Sequence, residues 1–350
     1  MESSSQPIQS PIQKILFGSP GTGKSWRIKN QIIPELGIDE SLNPENVIRT
    51  VFHPEYTYGD FVGKLVPLTR SGKVEYNYYE GHFLKALAQS YRNILIAKDT
   101  EKPKNVALVI DEINRGNSSA MFGTIFQLLD RKADSWSDYN INVSVIEMDR
   151  ILTLVGFEDG GNIGFYKYGK AKTAKAIEEY QDILSKINLN VNTLSSNIVG
   201  GSIRIPPNLS ILASMNTSDN SIYFMDSAFK RRWDWEFVNW DDSKPPAAKY
   251  GTLSDEEWRE LIKNLNEFIK KHHASIRGIE DKQIGYYFIK PPVTADKIQN
   301  KLMFFLWDSV FNRDKKPLVD LLGVKREQLV TFGDFIQLHN DFIAAIRNHS

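Results

Sequence analysis

Short apolar runs alternate with amphipathic stretches of helix length through the first two thirds of the chain. Runs rich in β-branched residues are typical of strands buried on both faces of a sheet, and apolar residues at helical spacing are typical of the helices that cover it. The predicted strands are 12–17, 47–53, 106–110, 209–214 and 233–238. The predicted helices between them are 24–36, 81–97 and 118–131, the last with a serine N-cap. This alternation predicts an α/β fold with a parallel sheet between helices.

Two parts of the chain depart from this alternation. Residues 132–200 form a connection longer than an ordinary loop, so we expect a functional or partly ordered insertion. Its strand-like pieces are 142–146 and 151–157, and its helical piece lies near 173–187. After residue 240 the pattern turns helical, with stretches at 255–271, 297–311 and 330–347, and Ser254 and Glu257 have capping-box spacing.

These patterns predict the domain organisation. We expect a disordered segment at 1–11, which is rich in Ser, Gln and Pro. Residues 12–240 are predicted to form a large α/β subdomain with an insertion at about 132–200, and residues 241–350 a helical subdomain.

The run GSPGTGKS matches G-x-x-x-x-G-K-[ST] between a predicted strand and a predicted helix. In that context backbone N–H groups and the helix N-terminus surround the phosphates of a nucleotide. We expect Lys24 to reach the β- and γ-phosphates and the Ser25 hydroxyl to bind Mg²⁺. The predicted nucleotide-binding residues are Gly18, Ser19, Pro20, Gly21, Thr22, Gly23, Lys24 and Ser25.

An acidic pair follows the predicted strand 106–110. Open α/β sheets bind ligands at the carboxyl ends of their strands. We therefore expect Asp111 to support the metal ion near Ser25 and Glu112 to polarise the attacking water. The alternative is an acidic pair that caps the next helix.

Composition narrows the class of protein. Lys plus Arg and Asp plus Glu both total 43 among 350 residues, so net charge argues neither for nor against nucleic acid, and any contact with DNA would need a local basic patch. Without cysteine, the chain has no disulfides, thiolate metal sites or cysteine nucleophile. No apolar run reaches membrane-spanning length, and the polar N-terminus lacks the apolar core of a secretory signal, so we expect a cytoplasmic protein.

A third group of polar residues follows the predicted strand 209–214. Asn216 stands where the AAA+ ATPases place a polar sensor residue, and Arg231 and Arg232 stand where they present an arginine to the neighbouring subunit. The runs DEINRGN at 111–117 and MNTSDNS at 215–221 resemble the signatures DEINRAN and MNTADRS of the McrB family. That family is the AAA+ GTPase motor of modified-cytosine-dependent restriction systems. Further similar stretches are 52–63, 81–87, 203–216 and 284–289.

The resemblance implies a ring, usually a hexamer, with nucleotide between subunits. It also implies a McrC-type partner that stimulates hydrolysis and carries the nuclease. The family roles would pass to Asn114, Asn216, Asp219, Arg231 and Arg232, with Asp219 orienting the catalytic water or a neighbouring arginine. The substrate would be Mg²⁺-bound GTP or ATP, and the preference for GTP rests on the resemblance alone.

Three departures from the family pattern restrict the transfer. Asn220 replaces the last arginine of the second signature, and the connection 132–200 exceeds the family's usual length. The family's DNA-reading domain precedes the phosphate loop, which here begins at residue 18. We therefore expect DNA contact through another domain or partner and assign no recognition of modified cytosine.

Two other functions remain open. A MoxR-like AAA+ ATPase that remodels protein complexes would prefer ATP and need no nuclease. A nucleotide-dependent assembly scaffold would hydrolyse negligibly, which Asn220 allows and Glu112 opposes. In the insertion, tyrosines and lysines could contact nucleic acid or a partner: Tyr166, Lys167, Tyr168, Lys170 and Lys172.

Overall fold

The computed structural model of the chain describes residues 10–70, 72–98, 101–162, 164–195, 197–217, 223, 225–242 and 253–349. The described residues form thirteen strands: β1 (Gln13–Gly18), β2 (Val47–Val51), β3 (Gly63–Arg70), β4 (Lys73–Glu80), β5 (Val106–Asp111), β6 (Ile141–Val143), β7 (Phe157–Asp159), β8 (Phe165–Tyr168), β9 (Lys175–Ala176), β10 (Asn190–Leu194), β11 (Asn197–Ile203), β12 (Leu209–Asn216) and β13 (Asp234–Phe237).

Their α-helices are α1 (Lys24–Arg27), α2 (Ile33–Glu35), α3 (Tyr58–Phe61), α4 (His82–Ile96), α5 (Ser118–Phe122), α6 (Val145–Val155), α7 (Gln181–Lys186), α8 (Ser227–Lys230), α9 (Asp255–Lys271), α10 (Ala295–Lys297), α11 (Lys316–Leu322), α12 (Phe332–Gln337) and α13 (His339–Arg347). A π-helical turn, Ile28–Ile32, joins α1 to α2, so the predicted helix 24–36 is confirmed as one helical stretch.

The central sheet has the strand order β13-β1-β12-β5-β2. Strands β12, β5 and β2 pair in parallel, with Leu108 of β5 opposite both Ile211 and Ile48. The five predicted strands are confirmed, each end lying within two residues of its expected position. The α/β class with a central parallel sheet is therefore confirmed, and β5 and β12 end on Asp111 and Asn216.

The described ranges also contain three smaller sheets. Strands β3 and β4 form an antiparallel hairpin in the segment that precedes α4. The insertion contains the other two, with the strand orders β10-β11-β6 and β7-β8-β9. The insertion predicted at about 132–200 is thus ordered in its described residues.

The predicted strand 151–157 is wrong, because these residues belong mostly to helix α6. Ser144 and Glu147 form a capping box that starts this helix, and their spacing is visible in the sequence although the strand prediction did not use it. The buried residues of α6 recur at helical spacing and begin at Met148, upstream of the window that looked strand-like: Met148, Ile151, Leu152 and Val155.

Two tyrosines proposed as possible nucleic-acid contacts pack inside the insertion instead. Tyr166 is buried, and the ring of Tyr168 lies 4.5 Å from that of Phe157. Phe157 also meets Tyr180 edge to face at 5.3 Å. These rings form an aromatic core that holds the short strands of the insertion together.

The predicted helix 118–131 is only partly correct. Helix α5 ends at Phe122, and a 3₁₀-helix, Gly123–Leu129, continues the chain. The N-cap is Asn117 rather than a serine, because its side chain accepts a hydrogen bond from the backbone N–H of Ala120.

The described residues cluster into two compact units. One comprises those within 1–15, 25–214 and 221–235, and the other those within 16–24, 215–220 and 236–350. The second unit has an apolar core in which α9 is central, with Trp258, Leu261 and Leu265 fully buried. The predicted helix 255–271 and its capping box at Ser254 and Glu257 are confirmed.

The other predicted helices of the second unit are interrupted. The stretch 297–311 contains the end of α10 and two π-helical turns, Ile298–Met303 and Leu306–Val310. The stretch 330–347 divides into α12 and α13. In the described part of the chain, no helix combines the length and the apolar character needed to cross a bilayer.

Arg131 joins the end of the 3₁₀-helix to the start of β12. Its guanidinium donates to the carbonyls of Ser135 at 3.0 Å, Pro206 at 3.0 Å and Leu209 at 2.9 Å. Burial lowers the pKa of Arg131 to about 10, so the group stays charged at neutral pH. A charged donor to several carbonyls contributes more stability than an exposed ion pair.

We predict that Arg131→Ala lowers the free energy of unfolding by about 3 kcal/mol, because three carbonyls lose a charged donor. The control is Lys132→Ala, which removes only a 3.7 Å surface ion pair with Asp138 and should cost less than about 1 kcal/mol. Urea unfolding followed by tryptophan fluorescence measures both. Equal losses in the two variants would contradict this role of Arg131.

Candidate functional site

The phosphate-loop sequence adopts a backbone that its glycines allow. Gly21 and Gly23 have φ values of 77° and 88°, in the left-handed region that favours glycine. A Cβ added to Gly21 would lie 2.4 Å from the backbone nitrogen of Phe288. Gly21 is therefore required both by the turn and by a close backbone approach, and Gly23 by the turn.

Residues 284–288 support this loop through main-chain hydrogen bonds. The N–H of Gly285 donates to the carbonyl of Pro20 at 2.9 Å, and the N–H of Tyr287 donates to that of Gly21 at 3.0 Å. The Ser19 hydroxyl donates to the carbonyl of Glu280. The supporting segment thus binds the outside of the loop through its backbone.

Helix α9 holds the supporting segment in turn. The buried Asn266 side chain donates to the carbonyl of Ile284 and accepts from its N–H, both at 2.9 Å. The indole N–H of Trp258 donates to the carbonyl of Tyr286 at 3.0 Å. The sequence marked 284–289 only as a stretch similar to the family. The signal available for its support of the loop was Asn266, a polar residue among the apolar residues of the predicted helix 255–271.

The Lys24 ammonium group lies within the loop. It donates to the carbonyls of Gly18 and Ser19, both at 2.8 Å, and to the Asn216 side-chain oxygen at 3.0 Å. Lys24 is 8% exposed. The structure therefore brings the predicted sensor Asn216, at the end of β12, to the predicted phosphate-binding lysine.

The Asp111 carboxylate accepts two hydroxyl hydrogen bonds on one oxygen. Ser25 donates to Oδ1 at 3.1 Å, and Ser214 donates to the same atom at 2.6 Å. The structure thus brings together Ser25 and Asp111, the two predicted metal-supporting residues. Ser214 was missed by sequence reasoning, although a serine in the apolar run LSILAS was a visible signal.

Glu112 adopts a rare backbone conformation beside this carboxylate. Its φ is 55°, which is uncommon for a residue with a side chain and recurs at functional sites. Glu112 Oε2 lies 3.2 Å from Nε of Arg115, and both side chains are partly exposed. An ion pair of this kind lowers the availability of the carboxylate to a water molecule.

The two arginines proposed for action in trans differ in their surroundings. Arg232 donates from Nε at 3.0 Å and from Nη2 at 2.7 Å to the same oxygen, Oδ2 of Asp130. Its guanidinium carbon also lies 3.9 Å from the centre of the Phe126 ring. Arg231, at the end of α8, is exposed. Arg231 is therefore the more accessible of the two side chains.

The remaining predicted residues are placed only in part. Asn114 is buried, and its carbonyl accepts from the N–H of Tyr223 at 3.1 Å. Asp219 and Asn220 lie outside the described residues.

The side chains near the loop fit magnesium better than a metal held entirely by protein. Within the described ranges, no three His, Cys, Asp or Glu side chains are grouped to hold a metal ion. Mg²⁺ keeps several waters and takes one or two carboxylates together with substrate phosphates. The hydroxyl of Ser25 and the carboxylate of Asp111 are oxygen donors of that kind.

No family model matches the chain. The chain is 26% identical to the type II restriction enzyme BsuMI component YdiS of Bacillus subtilis (strain 168), over 94% of this chain and 86% of that protein. It is 30% identical to the type IV methyl-directed restriction enzyme EcoKMcrB subunit of Escherichia coli (strain K12), over 35% of this chain and 24% of that protein. The chain is therefore similar to components of two restriction systems.

We predict that Gly21→Ala destabilises the loop and weakens, at least tenfold, the nucleotide binding expected from the loop sequence, because the added Cβ meets the Phe288 backbone. The matched control is Gly72→Ala: Gly72 has a φ of 78°, but its added Cβ has no atom within 4 Å. The control should show only the cost of backbone strain, about 1 kcal/mol. Thermal unfolding and nucleotide titration measure both variants, and equal effects would contradict a role for close packing.

Proposed function

We propose that this protein is a Mg²⁺-dependent nucleoside triphosphatase of the AAA+ class, similar to McrB, that acts in a restriction or antiviral defence complex. The observation that carries the proposal is the glycine loop with the Lys24 ammonium inside it, next in sequence to a serine bonded to Asp111. A positive charge and a run of loop N–H groups suit a polyphosphate, and the serine–aspartate pair suits its metal ion.

Each residue of the site has a distinct proposed role. Lys24 binds the β- and γ-phosphates. Asn216 accepts a hydrogen bond from Lys24 and acts as the sensor residue near the γ-phosphate. Glu112 orients the attacking water, which phosphoryl transfer requires more than a strong base. For Glu112 to act in this way, its contact with Arg115 must open or shift.

Magnesium would be held by the Ser25 hydroxyl, with Asp111 supporting that hydroxyl. When bound, the ion neutralises the charge of the phosphate oxygens. The protein's own contribution is to orient the serine oxygen and to keep a carboxylate beside it.

We assign the arginine that acts in trans to Arg231. Arg232 is already used by Asp130 and Phe126, and breaking a largely buried ion pair leaves a charge without a partner. The exposed Arg231 has no such cost. A ring, usually a hexamer, would let Arg231 of one subunit reach the nucleotide of the next.

The restriction role rests on the two similarities. The Bacillus relative is named as a component of a restriction enzyme, which supports a complex of several different subunits. The proposed partner is a McrC-like nuclease, with DNA contacted through another domain or subunit. The proposed substrate is GTP ahead of ATP, and a preference for ATP would instead favour a protein remodeller of the MoxR type.

A second candidate function is a nucleotide-dependent assembly scaffold with negligible hydrolysis. The contact between Glu112 and Arg115 favours it, since a carboxylate engaged by a guanidinium polarises water less well. Turnover that stays negligible in the presence of the nuclease partner would support this candidate.

We expect a slowly hydrolysed GTP analogue to bind about tenfold more tightly than its ATP counterpart, a difference of about 1.4 kcal/mol. Lys24→Ala should weaken binding of both by about 100-fold or more, because charged hydrogen bonds to phosphate are lost. Calorimetry with MgCl₂ measures these affinities. The control is Lys29→Ala, which removes an exposed lysine of the same helical stretch and should leave them unchanged.

Full binding by Lys24→Ala would refute the phosphate-loop assignment. Equal or stronger binding of the ATP analogue would leave that assignment intact and move the proposal to an ATP-driven remodeller.

We expect Arg231→Ala and Glu112→Gln each to lower turnover about 1,000-fold, and a mixture of the two variants to recover part of it. Recovery follows because some mixed interfaces combine Glu112 of one subunit with Arg231 of its neighbour. Phosphate release measures turnover. A lack of recovery in mixed oligomers would contradict action in trans, and full activity of Arg231→Ala would remove the residue from the site.

A further inference from the structure

Strand β12 contributes a second residue to the candidate site besides Asn216. We infer that Ser214 is a positioning residue for magnesium, because its hydroxyl holds the Asp111 carboxylate against Ser25. The inference deepens the proposed function and rests on it. Neither the phosphate-loop pattern nor the acidic pair points to this serine.

Ser214 is joined to the end of β5 through both its side chain and its backbone. Its Oγ donates to Asp111 Oδ1 at 2.6 Å, and its carbonyl accepts from the N–H of Ile113 at 3.1 Å. The parallel register places Ala213 opposite Ile110, so the next residues on the two strands are Ser214 and Asp111. The hydroxyl is therefore held in position by the sheet itself.

The contact with Ser214 matters because it restricts the orientation of the Asp111 carboxylate. Oδ1 accepts from Ser25 and from Ser214, which reach it from two different elements. Two donors on one oxygen restrict rotation of the carboxylate, so the Ser25 hydroxyl keeps one orientation. Partners that orient metal ligands typically change metal affinity or activity by about 10–100-fold when they are removed.

A buried serine can also have a purely structural role within a sheet, and β12 contains such a serine for comparison. Ser210 and Ser214 lie four residues apart, on the same face of β12, and are 1% and 5% exposed. The Ser210 hydroxyl accepts from the N–H of Ile12 at 3.0 Å, a contact within the sheet. The two serines share strand, face and burial but differ in their partners.

The test is a MgCl₂ titration of wild type, Ser214→Ala, Ser214→Thr and Ser210→Ala with a fluorescent, slowly hydrolysed GTP analogue, or the ATP analogue if it binds more tightly. Binding of the same analogue in EDTA is measured in parallel. We expect Ser214→Ala to weaken the apparent affinity for Mg²⁺ about tenfold or more, and Ser214→Thr to stay close to wild type because it keeps the hydroxyl. Ser210→Ala should keep wild-type Mg²⁺ affinity, and binding in EDTA should be the same in all four proteins.

Wild-type Mg²⁺ affinity in Ser214→Ala would overturn the inference, and so would an equal loss in Ser210→Ala or a matching loss of binding in EDTA. If Ser214→Ala does not fold, Ser214→Cys replaces it, since a thiol fills the space and is a weaker donor. An intermediate Mg²⁺ affinity in that variant is expected, and wild-type affinity would overturn the inference. Nucleotide binding by wild type that does not respond to Mg²⁺ would refute the proposed function itself.

Discussion

The main-chain hydrogen bonds between the phosphate loop and residues 284–288 are the constraint on which the candidate site depends. Each bond contributes about 1 kcal/mol, but together they allow the loop backbone only one course beside a neighbouring backbone. The left-handed φ of Gly21 follows from that course, as does the absence of space for a Cβ. Asn266 and Trp258 transmit the same constraint from α9. The loop whose carbonyls receive the Lys24 ammonium is therefore held in part from outside the glycine motif.

The carboxyl ends of β5 and β12 carry the remaining residues of the candidate site. Parallel pairing brings the last residues of neighbouring strands together, so that Asp111 receives hydroxyls from Ser25 and Ser214. The unusual backbone of Glu112, with a φ of 55°, comes immediately after the end of β5. One short stretch of the chain thus combines a carboxylate held by two hydroxyls with a residue in a rare backbone conformation, the two acidic residues of the proposed site.

Sequence reasoning succeeded where local pattern and tertiary environment agree. Strands β5 and β12 were predictable because they are buried on both faces and read as nearly continuous apolar runs, whereas β2 and β13 are only partly buried. It failed in the insertion, where α6 looked like a strand: the apolar residues Ile151, Leu152 and Val155 suit either element, and the capping box upstream of them, which favours a helix, was not used. The tyrosines of β8 looked like possible contacts for nucleic acid, yet Tyr166 and Tyr168 pack with Phe157 because the insertion has its own core.

By itself, the sequence determined the strand–loop–helix around Lys24, the acidic end of β5, and the α/β class, because each depends on residues adjacent in the chain. Only the tertiary structure decided that Arg232 is held by Asp130 while Arg231 is exposed, since an ion pair between distant residues leaves no local pattern. It also decided the partners of Ser214 and Asn266, two polar residues in apolar surroundings. A buried polar side chain must find a hydrogen-bond partner, but which partner it finds depends on how the strands and helices come together.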